Sequence, residues 1–503
     1  MKRIAWMVTC LSLLIGLGAA RSARADDTPA EALNQRLDAL DEEERALLAP
    51  MLERGPVALV ELVKDETLPA VLVATYVDAP AAAVANIISN PKEYPKFMKT
   101  LDHVEVLSQN QTQTAYKWTW QTGVLFLEGE NRMTSFPPPA GHPELGHRIS
   151  VKSERGQLGE GRLLWRVFPA GEKRSLLMLA MRVDMREANF VMKQLEAAAK
   201  SVNRSVNLAL CYVMVLGTKR EAERREGRAP TTLAKSVFEA PSYDLNKLKK
   251  LMARADLLMM ELTPSGLGKL TILGRTGMTP AAIRPVMTEP ETFGKALVPG
   301  SYTRVTKREG TQKTFEWGIS LPLIGTSGVM LMNDQGQTLS IDAVDGALKG
   351  GKWRFETPTL PGGEAVVLGY STFDITKTTW LIEKIAAMDP AMGHGLAAAS
   401  QVMMLRALRK RAHDVAKEAK PTPAAAPAPV PAGHPTHAAS AVPVAPAAAS
   451  APAPTTAQAP AVAPVHAAPA AAAAPAAPSP PAPSAPSVQP PSASAPPAKA
   501  AAK

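Results

Sequence analysis

From Ala70 to Tyr76 the chain is apolar and rich in β-branched residues, and it runs into Val77-Asp78-Ala79-Pro80. A short apolar run that ends at a turn predicts a strand. Pro80 then marks the start of a short helix over Ala81 to Ser89, because proline is tolerated in the first turn of a helix. A second short helical piece follows Pro91, and after it the pattern changes to period two. Gln113 to Trp120 alternates and places Tyr116, Trp118 and Trp120 on one face. Further alternating segments, separated by Gly, Asn and Pro, predict more antiparallel strands. From about Glu187 to Arg224 the apolar residues Val191, Leu195, Ala198, Val202, Ala209, Val213 and Leu216 recur at helical spacing and predict one long closing helix.

The same pattern then occurs again, as fixed-period self-similarity in a duplicated domain should. Val77-Asp78-Ala79-Pro80-Ala81-Ala82 is echoed by Gly277-Met278-Thr279-Pro280-Ala281-Ala282, and Asn90-Pro91 by Glu289-Pro290. Tyr116-Lys117-Trp118 corresponds to Phe315-Glu316-Trp317, Trp165-Arg166-Val167 to Trp353-Arg354-Phe355, and Asp184 and Phe190 to Asp374 and Trp380. The second closing helix is expected over about Lys377 to Lys417, broken at Asp389-Pro390. A strand, two short helices, a run of antiparallel strands and a long final helix can bury that helix only against the concave face of a curved sheet.

The expected fold class is therefore α+β: two tandem helix-grip domains, each a curved antiparallel sheet around a long C-terminal helix, followed by a disordered Ala/Pro-rich tail. The boundaries read as a signal peptide over 1–25, an N-terminal helical segment over 26–65, the first domain over 66–228, a linker with a helix over 229–265, the second domain over 266–420 and the tail over 421–503. The strand ending in Val77-Asp78-Ala79-Pro80, the helix after it, Asn90-Pro91-x-x-Tyr94-Pro95-x-Phe97 and the long final helix together resemble the START-like, or SRPBCC, superfamily. Within it they resemble the coenzyme-Q-binding and polyketide cyclase/dehydrase branch. The second copy resembles it less closely, with Gly294 where the first has Pro95. The resemblance implies a cavity between sheet and helix that holds a hydrophobic ligand such as a lipid or quinone.

Composition changes this picture in three places. The 503 residues are 46% hydrophobic, but many of those are alanines of the tail, which also holds most of the 46 prolines and no acid. Such a segment cannot bury a core and favours extended polyproline-like conformations. The first 25 residues carry Lys2-Arg3, an apolar stretch from about Trp6 to Ala20 and Ala23-Arg24-Ala25, the layout of a cleavable secretory signal, which implies a periplasmic setting. Once it is removed Cys211 is the sole cysteine, so no intramolecular disulfide can form, and its apolar neighbours predict a buried thiol. Beyond the leader no apolar run of about 20 residues occurs, which excludes a helical transporter. The formal charge of +10 includes four cations in the leader and two at the end of the tail, leaving +4 for the body, too balanced for a nucleic-acid partner.

Candidate chemistry is sparse. Gly-x-Ser-x-Gly, His-Glu-x-x-His and phosphate-loop signatures are absent from the sequence, so no catalytic residues, cofactor or metal are assigned. The cavity candidates are Tyr116, Trp118, Trp120, Trp165 and Phe190 in the first copy and Phe315, Trp317, Trp353 and Trp380 in the second. An aromatic row at period two is more often ordinary core packing. Arg166 and Arg354 are candidates for holding a charged headgroup, against a solvated strand face. Basic clusters end both long helices (Lys219-Arg220 with Arg224-Arg225; Arg406 with Arg409-Lys410-Arg411), which suits a helix C-terminus and also transient contact with an anionic membrane surface. His142 and His147 flank Glu144 in a Pro/Gly-rich loop and could bind a metal, but no further ligand such as Cys or a second close acid accompanies them. Binding of a hydrophobic small molecule or lipid leads. The rivals are a cyclase/dehydrase-like enzyme, with His103, Asp184 or Asp374 moving protons, and a protein-binding module with filled cavities. The oligomeric state is open.

Overall fold

The computed structural model describes residues 40–62, 70–122, 125–157, 159, 161–184, 201–297, 301–321 and 324–418. The leader, Phe190 and the tail lie outside them. The first repeat comprises α1 (Glu42–Leu52), β1 (Val57–Glu61), β2 (Val71–Val77), α2 (Ala81–Ile88), α3 (Tyr94–Phe97), β3 (Leu101–Gln109), β4 (Gln113–Thr122), β5 (Leu125–Phe136), β6 (His147–Gly156), β7 (Arg162–Pro169), β8 (Ser175–Arg182) and α4 (Ser201–Arg225). The second comprises α5 (Leu245–Arg254), β9 (Ala255–Thr263), β10 (Gly266–Arg275), α6 (Pro280–Met287), α7 (Pro290–Leu297), β11 (Tyr302–Glu309), β12 (Gln312–Leu321), β13 (Ile324–Asp334), β14 (Thr338–Gly346), β15 (Lys352–Glu356), β16 (Val366–Thr372), α8 (Trp380–Met388) and α9 (Pro390–Glu418).

All sixteen strands form one antiparallel sheet, in the order β11-β12-β13-β14-β15-β16-β10-β9-β1-β2-β8-β7-β6-β5-β4-β3. Each repeat contributes eight neighbouring strands, and the halves meet where β1 pairs with β9, Leu59 opposite Leu257 and Val60 opposite Asp256. Each repeat is a helix grip, an antiparallel sheet packed against its long final helix. Val57–Glu61 corrects the expectation of a wholly helical segment over 26–65. The turn at Gly55-Pro56 ends α1, and the residues beyond it are buried on both faces of the sheet. The region expected as a linker likewise holds α5 and then β9, so helix plus strand is a further duplicated unit that opens each repeat.

Two apolar layers cover the middle of the sheet. On one face Ala58, Val60, Val73, Leu258 and Ile272 pack toward the long helices. On the other, Val57, Leu59, Leu257 and Met259 pack with Leu48 and Leu52 of α1 and Leu251 and Met252 of α5. Two-sided burial removes the polar alternation by which a strand is recognised, so β1 and β9 carry no period-two signal. Outer strands such as β3 and β11 keep one exposed face and do alternate.

Local chemistry sets the helix ends. Asp41 accepts a hydrogen bond from the Glu44 backbone N–H at 2.8 Å, while the Glu44 carboxylate accepts one from the Asp41 backbone, a capping box that starts α1. Pro390 forces the residue before it out of helical geometry (Asp389 φ −146°, ψ 113°), and the Asp389 carboxylate caps α9 through the Ala391 N–H at 2.9 Å. The expected break in the second closing helix is therefore the α8–α9 junction.

The strand registers also align the repeats. Trp118 lies opposite Gly129 and Trp317 opposite Gly328; Gly129 pairs with Gly156 and Gly328 with Gly346, with a bulge immediately after in both copies. The offset is 199 residues up to this point (328 − 129) and 190 beyond it (346 − 156). The position of Trp165 is thus taken by Phe355, and Trp353 takes that of Leu163, which corrects the match of Trp165 with Trp353. The pairing agrees: Trp165 lies opposite Leu179 and Phe355 opposite Gly369, again 190 apart (369 − 179).

Candidate functional site: a cavity in the first repeat

Between the first-repeat sheet and α4 lies a cavity of about 110 Å³. Its floor is the inward face of β4 to β8, because period-two alternation brings Tyr116, Trp118, Trp120, Leu163 and Trp165 to one side. Leu210, Val213 and Met214 of α4 form its roof at helical spacing. Tyr94 of α3, with Met98 and Leu101 after it, closes one end.

The polar groups on this wall are few. The Asn131 side-chain amide donates to Tyr116 Oη at 3.2 Å, and the Tyr94 hydroxyl donates to the Ile88 carbonyl. Rings of Tyr94 and Tyr116 meet edge to face, 6.4 Å between centroids. Burial pushes the Tyr116 hydroxyl up to about 12 and Tyr94 well above a phenol's ordinary value, so both stay protonated near neutrality. The indole N–H groups of Trp118, Trp120 and Trp165 and the Ser153 hydroxyl are buried with no hydrogen-bond partner among the described residues.

The second repeat differs at the equivalent place. Phe315 and Trp317 are buried on the inward face, as is Trp353, which stacks on Phe373 with centroids 5.1 Å apart and planes 25° apart. Both members of that stack stand where the first repeat has cavity-lining Leu163 and Val183. Trp380, an expected cavity residue, is instead 55% exposed at the start of α8 with Lys384 over its ring. The break at Asp389-Pro390 gives α8 its own direction, so α9 alone is the long gripping helix.

The headgroup candidates are also corrected. Strand alternation turns Arg166 and Arg354 away from the inward faces that hold Trp165 and Trp353. Arg166 lies with Leu164 and Phe168 over a small separate hollow, its guanidinium 5.4 Å from the Phe168 ring. Arg354 pairs with Asp342 at 2.9 Å and covers the Phe238 ring.

The helix-end cations are largely engaged inside the fold. Lys219 pairs with buried Glu223, Arg220 with Asp389, and Arg224 and Arg225 with Glu221. Arg406 and Arg409 both reach the fully buried Asp256 of β9, and Arg411 pairs with Glu418. Of the proton-transfer candidates, His103 is exposed on β3, and Asp374 is exposed and caps the turn that follows it by accepting from the Thr376 N–H at 3.0 Å. His142 and Glu144 pair at 2.9 Å on the surface, and among the described residues no cluster of three metal-ligating side chains occurs. Cys211 is buried in α4, its thiol pushed up by burial and set 3.4 Å from the Leu179 carbonyl.

Sequence reasoning missed Asn131, Ser153 and Leu163 as wall residues, and named Tyr94 only as part of a motif. Alternation places the three strand residues once the registers are known: Asn131 lies opposite Tyr116, Ser153 opposite Asn131 and Leu163 opposite Val151. Sequence alone does not give those registers.

Residues 77–210 match the model of a family described as polyketide cyclase / dehydrase and lipid transport. That span runs from the end of β2 into α4 and contains the stretch on which the START-like resemblance rests. A search of the curated proteins finds no match. Similar solved structures include the Zhui aromatase/cyclase from Streptomyces sp. R1128, 20% identical over 31% of this chain and 94% of that one, with a TM-score of 0.24. The di-domain ARO/CYC StfQ from the steffimycin biosynthetic pathway is 12% identical over 69% of this chain and 99% of its own, with a TM-score of 0.24. Human STARD10 is 15% identical over 37% and 82%, with a TM-score of 0.28.

Proposed function

We propose that the protein is exported to the periplasm and binds a compact hydrophobic molecule in the first-repeat cavity, shielding it from water. The observation that carries the reading is the contrast between repeats: an open, mostly apolar space where Leu163 and Val183 stand, and a Trp353–Phe373 stack at the same place in the second copy. Concave apolar space with a few convergent polar groups is what small-molecule sites present. Burying an apolar ligand gains about 25 cal/mol per Å² removed from water, which suffices for holding without any reacting group. Among the described residues the ionisable side chains on the wall are Tyr94 and Tyr116, both held protonated by burial, which supports retention of a ligand over proton abstraction from it. The lipid-transport part of the matched family's description agrees with this reading, and the leader supports export.

Native mass spectrometry with organic extraction, on protein prepared without detergent from its own envelope fraction, tests it. One apolar molecule per chain is expected, together with a mature N-terminus near Asp26. The variant Leu163→Trp with Val183→Phe, which installs the pair the second repeat already carries, is expected to fold and lose that molecule. Retention of the molecule by the filled variant, or bare protein from the unaltered chain that also binds no added apolar compound, overturns the reading.

A further inference from the structure

We propose that the acidic stretch over residues 26–39 docks across the outer face of the first repeat and supplies the counter-charge to a row of four cations. Strand register builds the row. Arg132 lies opposite Lys152, Lys152 opposite Arg162 and Arg162 opposite Arg182, so β5, β6, β7 and β8 each place one cation side by side on the face turned away from α4. Like charges directly opposite one another destabilise a sheet. Arg132 pairs with Glu154 at 2.7 Å and Arg182 with Glu61 at 3.0 Å. Lys152 and Arg162, in the middle of the row, have no carboxylate partner among the described residues.

The second repeat shows what covers this face. α5 begins 203 residues after α1 (245 − 42), so residues 229–242, which lead into α5, correspond to residues 26–39, which lead into α1. In the later segment the Leu233 N–H donates to the Leu262 carbonyl at 2.8 Å, and Lys269 Nζ donates to the Val237 carbonyl at 3.0 Å. Phe238 packs against Tyr370, 5.2 Å between ring centroids, with Arg354 over its own ring. Arg354 and Tyr370 lie opposite one another at the places that Leu164 and Ala180 hold in the first repeat, 190 residues earlier (354 − 164; 370 − 180). Continuity sets the first stretch on the same ground, because Leu40, where it joins the described chain, lines a hollow with Leu164 and Ala180.

Reach and charge both fit. Arg162 and Arg182 stand two residues from Leu164 and Ala180, about 7 Å along the strands, and the row spans about 14 Å across them. Fourteen residues reach about 21 Å even at the rise of a helix. Residues 26–39 hold Asp26, Asp27, Glu31 and Asp38 against Arg36, a net charge of −3, beside a row of four cations. Residues 229–242 hold Lys235 and Glu239, a net charge of zero, and the row at the equivalent strand positions is Leu331, Asp342, Lys352 and Thr372, also neutral. Each segment thus matches the charge of its own repeat, as complementary surfaces do. Docking closes the row to other polyanions.

Zero-length carbodiimide cross-linking of the full chain, read by peptide mass spectrometry on the monomer, tests the proposal, because Lys152 is the row's one amine. An amide from Lys152 Nζ to Asp27, Glu31 or Asp38 is expected at low salt. It is expected to be lost in 1 M NaCl, which screens exposed charges beyond about 3 Å, and in Lys152→Arg, which keeps the charge without the amine. A heparin column supplies a second measurement. Asp27→Asn with Glu31→Gln and Asp38→Asn opens the row and is expected to elute at higher salt than the unaltered chain. Adding Lys152→Gln and Arg162→Gln is expected to abolish that gain. Thermal melting checks that each variant is folded. Absence of any link from Lys152 to residues 26–39, a link found only between two chains, or a heparin gain that survives loss of Lys152 and Arg162 overturns the proposal.

Discussion

Gly129 and Gly156 carry the aromatic wall of the cavity. A Cβ at Gly129 would lie 2.8 Å from Cζ2 of Trp118, so the indole rests directly on the glycine of the neighbouring strand. Gly156 has φ +122°, and a Cβ there would come within 2.4 Å of Gly129 Cα, which is backbone and cannot turn aside. Gly156→Ala is expected to destabilise by about 2 kcal/mol or more, seen as a lower urea midpoint. Gly129→Ala is expected to act mainly on the cavity, displacing Trp118 and weakening ligand binding, as fluorescence titration would show. His394 gives a pH prediction at the same scale. Burial, and secondarily Arg220, hold its imidazole below the ordinary 6.5, opposed by Asp389 and Asp374, and burial alone lowers His147. The unfolded chain therefore takes up these protons more readily than the folded one. Stability is full above about pH 6.5 and is lost as pH falls below it. Between pH 7.5 and 5.5, above the range where carboxylates titrate, the urea midpoint is expected to fall, and to fall less in His394→Gln. An equal fall in that variant refutes the assignment.

Among the elements, the two gripping helices α4 and α9 touch one another as well as the sheet. Gly395 of α9 sits so close to α4 that a Cβ would lie 2.7 Å from Ala209 Cα, and Arg220 of α4 reaches Asp389 at the start of α9 at 2.8 Å. Gly395→Ala is expected to push the helices apart at a cost of about 1–3 kcal/mol despite the better helix propensity of alanine. A melting temperature equal to or above that of the unaltered chain would refute the close approach. The part of the first helix's apolar stripe that α4 covers, with its wall residue Val213, was legible at 3.6-residue spacing, as were β2, β4, β10 and β12 from their own patterns, while Val191, Leu195 and Ala198 lie outside the described residues. β1 and β9 were not, because a strand covered on both faces has no polar positions to mark its period. The aromatic row was legible as a row. The contrast between a copy with a cavity and a copy with an aromatic stack at the equivalent place was not, because that depends on Leu163 and Val183 against Trp353 and Phe373, which meet only through strand pairing and helix return.

For the whole molecule, β1 and β9 fuse two helix grips into one sheet, and α9 ties the seam. Arg406 donates to the Glu61 carbonyl of β1 at 3.0 Å while it and Arg409 reach Asp256 of β9. Asp256→Ala would leave two largely buried guanidinium groups without their carboxylate, at an expected cost of about 3–5 kcal/mol in chemical unfolding. A fragment ending near residue 240 would expose the apolar edge of β1, and is expected to self-associate in light scattering where the full body does not. A monodisperse, stable monomeric fragment would contradict this account of the seam. Duplication, the α+β class and the helix grip were all written in the sequence, because they follow from local periodicities and repeated turn residues that act over a few residues. Alignment of the repeats past the nine-residue change in offset, the carboxylate partners of most helix-end cations, the outward turn of Arg166 and Arg354 and the presence of space in the first copy were decided by tertiary structure alone. Each depends on which side chains meet across strands or helices far apart in the chain, and hydrophobic pattern constrains only which face a residue takes, not what it finds there.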